Sequence, residues 1–246
     1  MSMFFWVKKV VPALIVSADG SGDYTDIQSA IDALPATGGQ IFVKAGVYTI
    51  TAAITINKPD VSIVGAGHST KIQTTAAIIM IHIGNTTTAN RFILDSLFLY
   101  GNSTGAQYGI VVLDGTDGKI MRCFIDNMGS NALNIEMASS SNQYIYENTI
   151  TNNGLNGILI SEADDCIIKD NIVKSNVGSG IYISKFLNTS DRNIITGNIV
   201  RSNDKGIYIS TNNVNNIITS NVFENNTTAN IDDNGTGTVL DNNVTT

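Results

Sequence analysis

Two carboxylates and a histidine lie within, or directly after, short segments of alternating aliphatic and polar residues. His82 and Glu136 lie within such segments, and Asp114 directly follows one. If the aliphatic residues face inward, His82 and Glu136 face outward, because successive side chains of a strand point to opposite sides. Asp114 and Glu136 are one repeat apart, which predicts about 5 Å between their backbones. Carboxylates about 5–10 Å apart suit glycoside hydrolysis, so these three residues are the candidate catalytic groups.

Aromatic and basic residues nearby supply candidate substrate-binding groups. Tyr182 and Tyr208 share one outward place in consecutive repeats, and tyrosine rings suit contact with sugar rings. Lys185 and Lys205 flank them, and Arg201 lies in the same repeats. On an acidic chain, this local positive patch would meet a uronate or a sulfated sugar. The alternative is that these carboxylates, tyrosines and bases are solvated surface groups whose charges balance one another.

The chain around these residues is a repeat. A glycine or small residue followed by an aliphatic opens each copy, in steps of 23, 25, 23, 26 and 24 residues, at Gly109, Ala132, Gly157, Gly180, Gly206 and Asn230. A second mark, usually asparagine, recurs in steps of 25, 23, 27, 23 and 22, at Cys123, Asn148, Asn171, Asn198, Asn221 and Asn243. Two marks with such similar spacing indicate a solenoid of stacked units.

Each unit predicts three short strands. Its β-branched segments are bounded by Asn, Ser or Gly, and none has the length or period of a helix. Coils stacked at about 4.8 Å form an all-β fold, a right-handed single-stranded parallel β-helix with three sheets. Inward aliphatics such as Ile158, Ile181 and Ile207 would form continuous columns. The repeated asparagines are expected at corners that need positive φ, with their amides hydrogen-bonded along the stack.

The first forty residues differ from this repeat. Residues 1–17 are apolar and strand-like, with Val10 and Val11 among them. An amphipathic pattern over Ile27–Leu34 predicts a helix, with Thr25 or Asp26 as its N-cap. This helix would cover the open end of the solenoid, where unpaired strand edges invite aggregation. We expect a single domain, residues 1–246, made of an N-terminal strand and capping helix (1–38), irregular first coils (39–106) and regular coils (107–246).

The irregular coils are expected to hold four further strands. These are predicted at Gln40–Lys44, Ile54–Ile56, Val61–Val64 and Ile78–Ile83. In the last of them, alternation places Met80 on the outward side together with His82.

Composition limits the partners. The net charge of −7 and the pI near 4.6 argue against nucleic acid, which needs a basic face. No run of residues is long enough for a membrane span, and no signal peptide is visible. Cys123 and Cys166 are expected to be buried free thiols. No cofactor is expected, although the oxygens of Asp232-Asp233-Asn234-Gly235 leave calcium as an alternative to a simple turn.

An apolar stripe is predicted on the second strand of the repeat. If the isoleucine that follows each of them faces inward, Ile167, Ile194 and Ile217 face outward and stack. Exposed apolar stripes mark contact surfaces, so the stripe predicts a homo-oligomer. A shift of one residue would remove the stripe, because it moves every side chain to the other face.

Four N-terminal stretches resemble the N-terminal region of the pectin-lyase-like superfamily. Their sequence is most similar to that of pectin methylesterases. They are Val16-Ser-Ala-Asp-Gly-Ser-Gly-Asp-Tyr24, Ile27-Gln-Ser-Ala-Ile-Asp-Ala-Leu-Pro35, Ile41-Phe-Val-Lys-Ala-Gly-Val-Tyr48 and Val61-Ser-Ile-Val-Gly-Ala-Gly67. The later copies are similar to the generic repeats of carbohydrate-active and periplasmic copper-maturation proteins. The resemblance implies the β-helix fold, and it implies that a sugar polymer binds in the lateral groove beside the first strand of each coil.

The catalytic motifs of the known enzymes of this superfamily are absent. The chain lacks the Gly-Tyr-Gln-Asp-Thr-Leu and Asp-Phe-Ile-Phe-Gly stretches of pectin methylesterases. Asp164-Asp165-Cys166 resembles a polygalacturonase motif, but the Gly-His-Gly and Arg-Ile-Lys of those enzymes are missing. The Asp-Pro-His-Glu stretch of alginate epimerases is missing as well. The resemblance therefore predicts the fold of the chain but does not predict its activity.

Two functions of different class fit the sequence. The first is a carbohydrate-recognising β-helix that processes an acidic polysaccharide as a lyase, hydrolase or epimerase. The second is a non-catalytic structural or adhesive β-helix, such as a virion spike segment or a cell-surface module. The groove tyrosines favour the first function, and the missing motifs favour the second. Both place the protein outside the cell, on its surface or on a virion.

Overall fold

Short strands that pair in parallel with the equivalent strands of neighbouring coils build the molecule. The computed structural model describes residues 13–103 and 105–245. Its strands form three parallel sheets, which we call sheets A, B and C in the order in which each coil visits them. The predicted three-sheet parallel β-helix is therefore confirmed. Its coils keep the register of the sequence repeat, since Ile158 pairs with Ile181 and Ile181 with Ile207.

The strands are short because every corner ends them with a turn. Sheet A contains Ala13–Val16, Gly39–Val43, Val61–Val64, Ile93–Asp95, Lys119–Met121, Tyr144–Tyr146, Ile167–Lys169, Ile194–Thr196, Ile217–Thr219 and Val239–Asp241. Sheet B contains Gly46–Thr49, Thr70–Gln73, Phe98–Tyr100, Phe124–Asp126, Thr149–Thr151, Ile172–Lys174, Ile199–Arg201, Val222–Glu224 and Val244–Thr245. Sheet C contains Ile54–Ile56, Ile79–Ile83, Tyr108–Val112, Leu133–Glu136, Ile158–Ser161, Ile181–Ser184, Lys205–Ile209 and Ala229–Asp233.

One α-helix, Ile27–Ala33, packs at the N-terminal end. The carboxylate of Asp26 caps it by accepting a hydrogen bond from the Ser29 backbone N–H at 2.8 Å. Its apolar face is buried, as the spacing predicts. Two 3₁₀ turns, Gly67–Ser69 and Ala138–Ser140, complete the regular structure. The predicted N-terminal strand begins at Ala13 in the described chain, and its Val10 and Val11 lie outside the described residues.

The core is a set of aliphatic columns inside the solenoid. The inward residues of sheet C that the repeat predicts are fully buried, namely Ile158, Ile160, Ile181, Ile183, Ile207 and Ile209. The predicted outward position of Met80 is wrong, because Met80 belongs to the buried hydrophobic core. It lies directly before the inward residue Ile81, within the strand Ile79–Ile83. Four of the six regular coils carry glycine at the matching place, for example Gly157, whose added Cβ would lie 2.5 Å from Val173 Cγ1.

The predicted asparagine ladder is present at the corner between sheets A and B. The Nδ2 of Asn148 donates to Asn171 Oδ1 at 3.0 Å, and Asn171 repeats this contact with Asn198 at 3.0 Å. The expected positive φ at these asparagines is wrong. The left-handed residue is the one before each of them, such as Glu147 (φ 57) and Asp170 (φ 54). The turn is therefore made one residue earlier, and the asparagine amide satisfies the backbone groups that the turn leaves unpaired.

A second ladder, which the sequence analysis missed, follows the corner between sheets B and C. Asn153 Nδ2 donates to Asn176 Oδ1 at 2.8 Å, and Asn176 Nδ2 donates to Asn203 Oδ1 at 2.9 Å.

Both predicted free thiols are buried, and burial raises the pKa of Cys123 and of Cys166 to about 12. Within the described ranges, no helix has the length and hydropathy needed to cross a bilayer.

Candidate functional site

The outward face of sheet C carries one continuous row of aligned side chains. Strand register places them side by side from coil to coil: Thr55, His82, Val111, Asn134, Leu159, Tyr182, Tyr208 and Asp232. With strands about 4.8 Å apart, the row extends over roughly 34 Å. His82, Tyr182 and Tyr208, which the sequence places on the outward side of their strands, all lie in this row.

The row is recessed where it passes the middle coils. Although Val111 and Asn134 face away from the core, they are only 3% and 2% exposed. A small pocket of about 240 Å³ opens here, lined by Ile79, His82, Tyr108, Val111, Leu113, Asn134 and Glu136. Two of the three predicted catalytic residues, His82 and Glu136, therefore line one pocket.

Unpaired polar atoms distinguish this pocket from the rest of the surface. Asn134 Nδ2 donates to Glu136 Oε1 at 2.8 Å, which leaves Asn134 Oδ1 as the free end of that amide. Among the described residues, three buried side-chain polar atoms have no hydrogen-bond partner, and two of them, His82 Nε2 and Asn134 Oδ1, belong to this pocket. Buried polar atoms are almost always paired, so these two atoms mark the pocket as a candidate binding site.

The electrostatics of the pocket come from His82 and Glu136. Burial lowers the pKa of His82, and the nearby carboxylate of Glu136 opposes that shift only in part. An unperturbed histidine titrates near 6.5, so His82 is a neutral imidazole at neutral pH. It can then accept a proton, while Glu136 provides a carboxylate within the same pocket.

Asp114 is not part of this arrangement. Its Oδ2 accepts a hydrogen bond from Thr88 Oγ1 of the preceding coil at 2.7 Å, and it is not among the residues that line the pocket. The structure therefore brings His82 and Glu136 to one pocket lining, whereas Asp114 lies outside that lining. The reason is that Asp114 follows the end of its strand, where the chain has already begun to turn.

The two predicted tyrosines stack on each other. The ring centroids of Tyr182 and Tyr208 are 4.7 Å apart with an interplanar angle of 20°. The Nζ of Lys205 lies 3.9 Å from the centroid of the Tyr208 ring and forms an ion pair with Asp232 at 2.6 Å. This hydrogen bond raises the pKa of Lys205 and lowers that of Asp232. Because each ring covers one face of the other, that face of each ring is closed to a ligand.

The other predicted substrate-binding residues are not brought to one place. Arg201 lies on sheet B, in register with Glu224, and its Nη1 is 3.4 Å from Glu224 Oε2. Lys185 follows the sheet C strand Ile181–Ser184, and its backbone N–H donates to Ser210 Oγ at 2.9 Å. Of the five residues, Tyr208 contacts both Tyr182 and Lys205. Lys185 lies at the edge of the same sheet, and Arg201 lies on another sheet.

The acidic turn at Asp164 and Asp165 is balanced by Arg192. The guanidinium donates to both carboxylates, with Nη2 at 3.0 Å from Asp164 Oδ2 and at 2.8 Å from Asp165 Oδ2. Hydrogen bonding to Asp165 raises the pKa of Arg192. The structure therefore places Asp164 and Asp165 in a turn whose negative charge Arg192 balances.

A second depression, not predicted from the sequence, continues from the pocket. It has a volume of about 520 Å³ and is lined by Leu113, Glu136, Met137, Leu159, Ser161, Glu162, Ser184, Phe186 and Leu187. Phe186 and Leu187 are 79% and 75% exposed, and the Leu187 backbone N–H donates to Glu162 Oε1 at 2.5 Å. The sequence sign of this depression is the pair of adjacent large apolar residues, Phe186 and Leu187, in an otherwise polar loop.

A further depression, about 760 Å³, lies on sheet A. Its lining includes the ion pair of Arg91 and Asp60, with Nη2 and Oδ2 2.7 Å apart. None of the buried unpaired polar atoms found in the described chain belongs to its lining. The smaller pocket on sheet C is therefore the better candidate for specific binding, because it combines recessed walls with unmet hydrogen bonds.

The fold and the row on sheet C define the class of protein, a right-handed parallel β-helix with a polar, partly recessed outer face. The chain belongs to the NosD family, described as periplasmic copper-binding protein, whose sequence profile matches residues 36–246.

One sequence relative and several solved structures are similar to the chain. Over 71 residues, or 28% of this chain, it is 39% identical to the Arabidopsis thaliana protein named "Putative pectinesterase/pectinesterase inhibitor 45", and the match spans only 12% of that protein. The A-module of the Azotobacter vinelandii mannuronan C-5 epimerase AlgE6 has a TM-score of 0.68 at 19% identity, over 88% of this chain and 70% of the other.

Two further solved structures have the same fold. The catalytic domain of Agl-KA has a TM-score of 0.68 at 16% identity, over 96% of this chain and 49% of the other. The enzymatically active domain of tailspike protein 2 from bacteriophage CBA120 has a TM-score of 0.61 at 15% identity, over 89% of this chain and 40% of the other. At such identities the likeness shows the fold alone.

The family description raises the question of copper. Copper favours thiolate, thioether and imidazole ligands, and the described residues contain no group of three or more His, Cys, Asp or Glu placed to hold a metal ion. The thiols of Cys123 and Cys166 are buried and their raised pKa disfavours thiolate. His68 packs against Phe98 and Phe124, on sheet B, away from His82 on sheet C. Within the described residues, therefore, no cluster of His, Cys, Asp and Glu is available to hold copper.

Proposed function

We propose that the chain binds a sugar polymer along the outward face of sheet C. The observation that carries the proposal is the recessed pocket with two buried, unpaired polar atoms, His82 Nε2 and Asn134 Oδ1. A sugar hydroxyl both donates and accepts hydrogen bonds, so it can satisfy either atom. The row that continues through Tyr182 and Tyr208 gives a polymer further contacts on the same face.

Similar solved structures, a plant sequence relative and the family description support this proposal. The solved structures with this fold include an epimerase named for mannuronan, the catalytic domain of Agl-KA and an enzymatically active tailspike domain. A plant relative is named a pectinesterase. The description of the family as periplasmic and the tailspike likeness also support a location outside the cytoplasm, which we include in the proposal.

Glu136 and His82 are the groups we propose for catalysis. A neutral His82 can take a proton from a bound sugar, and Glu136 can act as its partner in general acid–base catalysis. Asp114 is left out, since Thr88 holds it away from the pocket lining. Hydrolysis, elimination and epimerisation all need groups that give and take protons. Elimination and epimerisation also need a uronate, and the products distinguish the three reactions.

The first experiment measures binding by the tyrosines. Wild type and the double variant Tyr182→Ala/Tyr208→Ala are titrated with oligosaccharides cut from uronic-acid, neutral and amino polysaccharides. Losing the two rings removes apolar contact worth about 1 kcal/mol each, so the dissociation constant should rise about thirtyfold. Tyr144→Ala is the matched control, because Tyr144 is an exposed tyrosine of sheet A. Equal affinities in the double variant and the control would move the site away from sheet C.

The same oligosaccharides test turnover. Products are followed by reducing-end assay, by absorbance of unsaturated ends and by NMR for epimerised units. Glu136→Gln should leave the binding of neutral oligosaccharides within a fewfold of wild type and abolish turnover, because the amide keeps the shape of the side chain but cannot exchange a proton. Full turnover by this variant would remove Glu136 from the catalytic role.

A structural or adhesive β-helix is the second candidate function. The observation that favours it is the apolar row on the outward face of sheet A, where Ile167, Ile194 and Ile217 align in register between Tyr144 and Val239. Tyr144 and Val239 are 41% and 52% exposed. We propose that two copies of the chain associate through this row, which would bury apolar side chains that a monomer leaves half in water.

A further inference from the structure

The pocket on sheet C presents hydrogen-bond acceptors. Asn134 Oδ1 is unpaired, and the Nδ2 end of that amide is already occupied by Glu136 Oε1 at 2.8 Å. An ionised Glu136 carboxylate has only acceptor sites. A group that binds Asn134 Oδ1 or the remaining acceptor sites of Glu136 must therefore donate hydrogen bonds. Sugar hydroxyls and amines can donate, whereas the carboxylate of a uronate has no proton to give.

Positive charge is missing from the same place. Neither the pocket nor the adjoining depression has a lysine or arginine in its described lining, whereas Glu136 lines both and Glu162 lines the second. Lys205, the base that the sequence placed nearest, is engaged by Asp232 at 2.6 Å and by the Tyr208 ring. A carboxylate entering the pocket would meet like charge in a recessed site, where water screens it poorly.

Resting on the proposed function, we infer that the pocket of His82, Asn134 and Glu136 takes a sugar unit without negative charge that donates hydrogen bonds from its hydroxyl or amino groups. This inference replaces the acidic polysaccharide expected from Lys185, Lys205 and Arg201. Those bases lie in ion pairs or outside the pocket, so their number in the sequence does not translate into a binding site for anions.

The test compares oligosaccharides of equal length that differ in charge. Mannan, chitosan and polyuronate oligomers of six units are titrated against the full chain by calorimetry, at low and at high salt. Wild type should bind the mannan or the chitosan oligomer at least ten times more tightly than the polyuronate. Salt should leave mannan affinity unchanged, since no ion pair with the ligand is involved.

Two variants separate the contributions of charge and hydrogen bonding. Glu136→Gln removes the like charge and should raise polyuronate affinity at least fivefold, whereas Glu147→Gln, the same change at an exposed site lining neither depression, should not. Asn134→Leu copies the Leu159 that follows it in register and removes the unpaired acceptor. It should weaken binding of the non-anionic oligomers at least tenfold. Thermal unfolding checks that this variant folds, and if it does not, Glu136→Gln still decides the role of charge.

The outcomes distinguish this inference from the proposed function. Tighter binding of the polyuronate by wild type would overturn the inference and leave sugar binding intact. Equal effects of Glu136→Gln and Glu147→Gln would also overturn it, because the charge of the pocket would then be irrelevant. No binding of any oligomer would overturn both the proposed function and the inference that rests on it.

Discussion

A buried asparagine at a solenoid corner connects three successive coils through one side chain. The Nδ2 of Asn198 donates to Ile168 O of the coil before it at 2.9 Å and to Asn221 Oδ1 of the coil after it at 2.9 Å. Its Oδ1 accepts from the backbone N–H and the Nδ2 of Asn171, at 2.9 Å and 3.0 Å. These bonds satisfy backbone groups at a corner, where the strand ladders have ended.

Replacing Asn198 with Leu should lower the free energy of unfolding by about 1–3 kcal/mol, because buried donors and acceptors of Ile168 and Asn171 would lose their partners. Left-handed backbone strain does not contribute to this loss, since the residue with positive φ at this corner is Gly197 (φ 68). Denaturant titration measures the change. Asn85→Leu is the control, because Asn85 is an exposed loop residue. Equal stability of Asn198→Leu and the control would contradict the role of the ladder.

The ladder was predictable because asparagine recurs there at regular spacing, but the residue that makes the turn was not. The left-handed position holds Glu147, Asp170, Gly197 and Ser220 in successive coils, so no residue type marks it. The asparagines of the second ladder are also regularly spaced, at steps of 23, 27 and 23 from Asn153 to Asn226. They are harder to recognise as one series, because the asparagines of different corners are interleaved along the chain.

At the scale of the element, glycine sets the sharpness of the corner between sheets B and C. Gly180 directly precedes the strand Ile181–Ser184. A Cβ added to it would lie 2.5 Å from Val200 Cγ1 and 2.8 Å from Gly206 O. The chain can therefore pass this close to the core and to the next coil only without a side chain. The sequence repeat shows glycine at this place, and the structure supplies the steric reason.

Gly180→Ala should destabilise the protein by about 1–3 kcal/mol, the range for overpacking a filled core. Thermal and denaturant unfolding measure the loss. Gly46→Ala is the matched control on a strand of sheet B, since its added Cβ would meet Ala18 Cβ at an ordinary 3.4 Å. That variant should be neutral or more stable by about 0.4–1 kcal/mol, because alanine reduces the freedom of the unfolded chain. A Gly180→Ala protein as stable as wild type would show that the corner can relax.

At the scale of the whole molecule, the sequence predicted which residues share a face better than it predicted what that face does. Alternation along the strands placed His82, Glu136, Tyr182 and Tyr208 on one side, and the register of sheet C agrees. The depth of the pocket was not predictable. Asn134 faces outward by alternation yet is 2% exposed, because burial there depends on how neighbouring coils and loops cover the sheet.

A solenoid also separates residues that look alike in the repeat. Arg201 and Lys205 are four residues apart, but a corner between them sends Arg201 to sheet B and Lys205 to sheet C. The predicted basic patch is divided in this way, and ion pairs with Glu224 and Asp232 balance its two parts. Charges counted along the chain therefore overstate the positive potential of any one face.

Association of whole molecules is the last property that the outer faces determine, and it can be tested by one substitution on each of two sheets. If two copies meet through the row of Ile167, Ile194 and Ile217, light scattering of wild type should give about twice the chain mass of 26.2 kDa. Ile194→Lys should give the single mass, because its ammonium would lie between apolar surfaces without a partner. Ile199→Lys is the matched control, since Ile199 is a 39% exposed isoleucine of sheet B. Dissociation by Ile199→Lys alone would place the contact on sheet B, and a single mass for wild type would show that the row on sheet A does not join two copies.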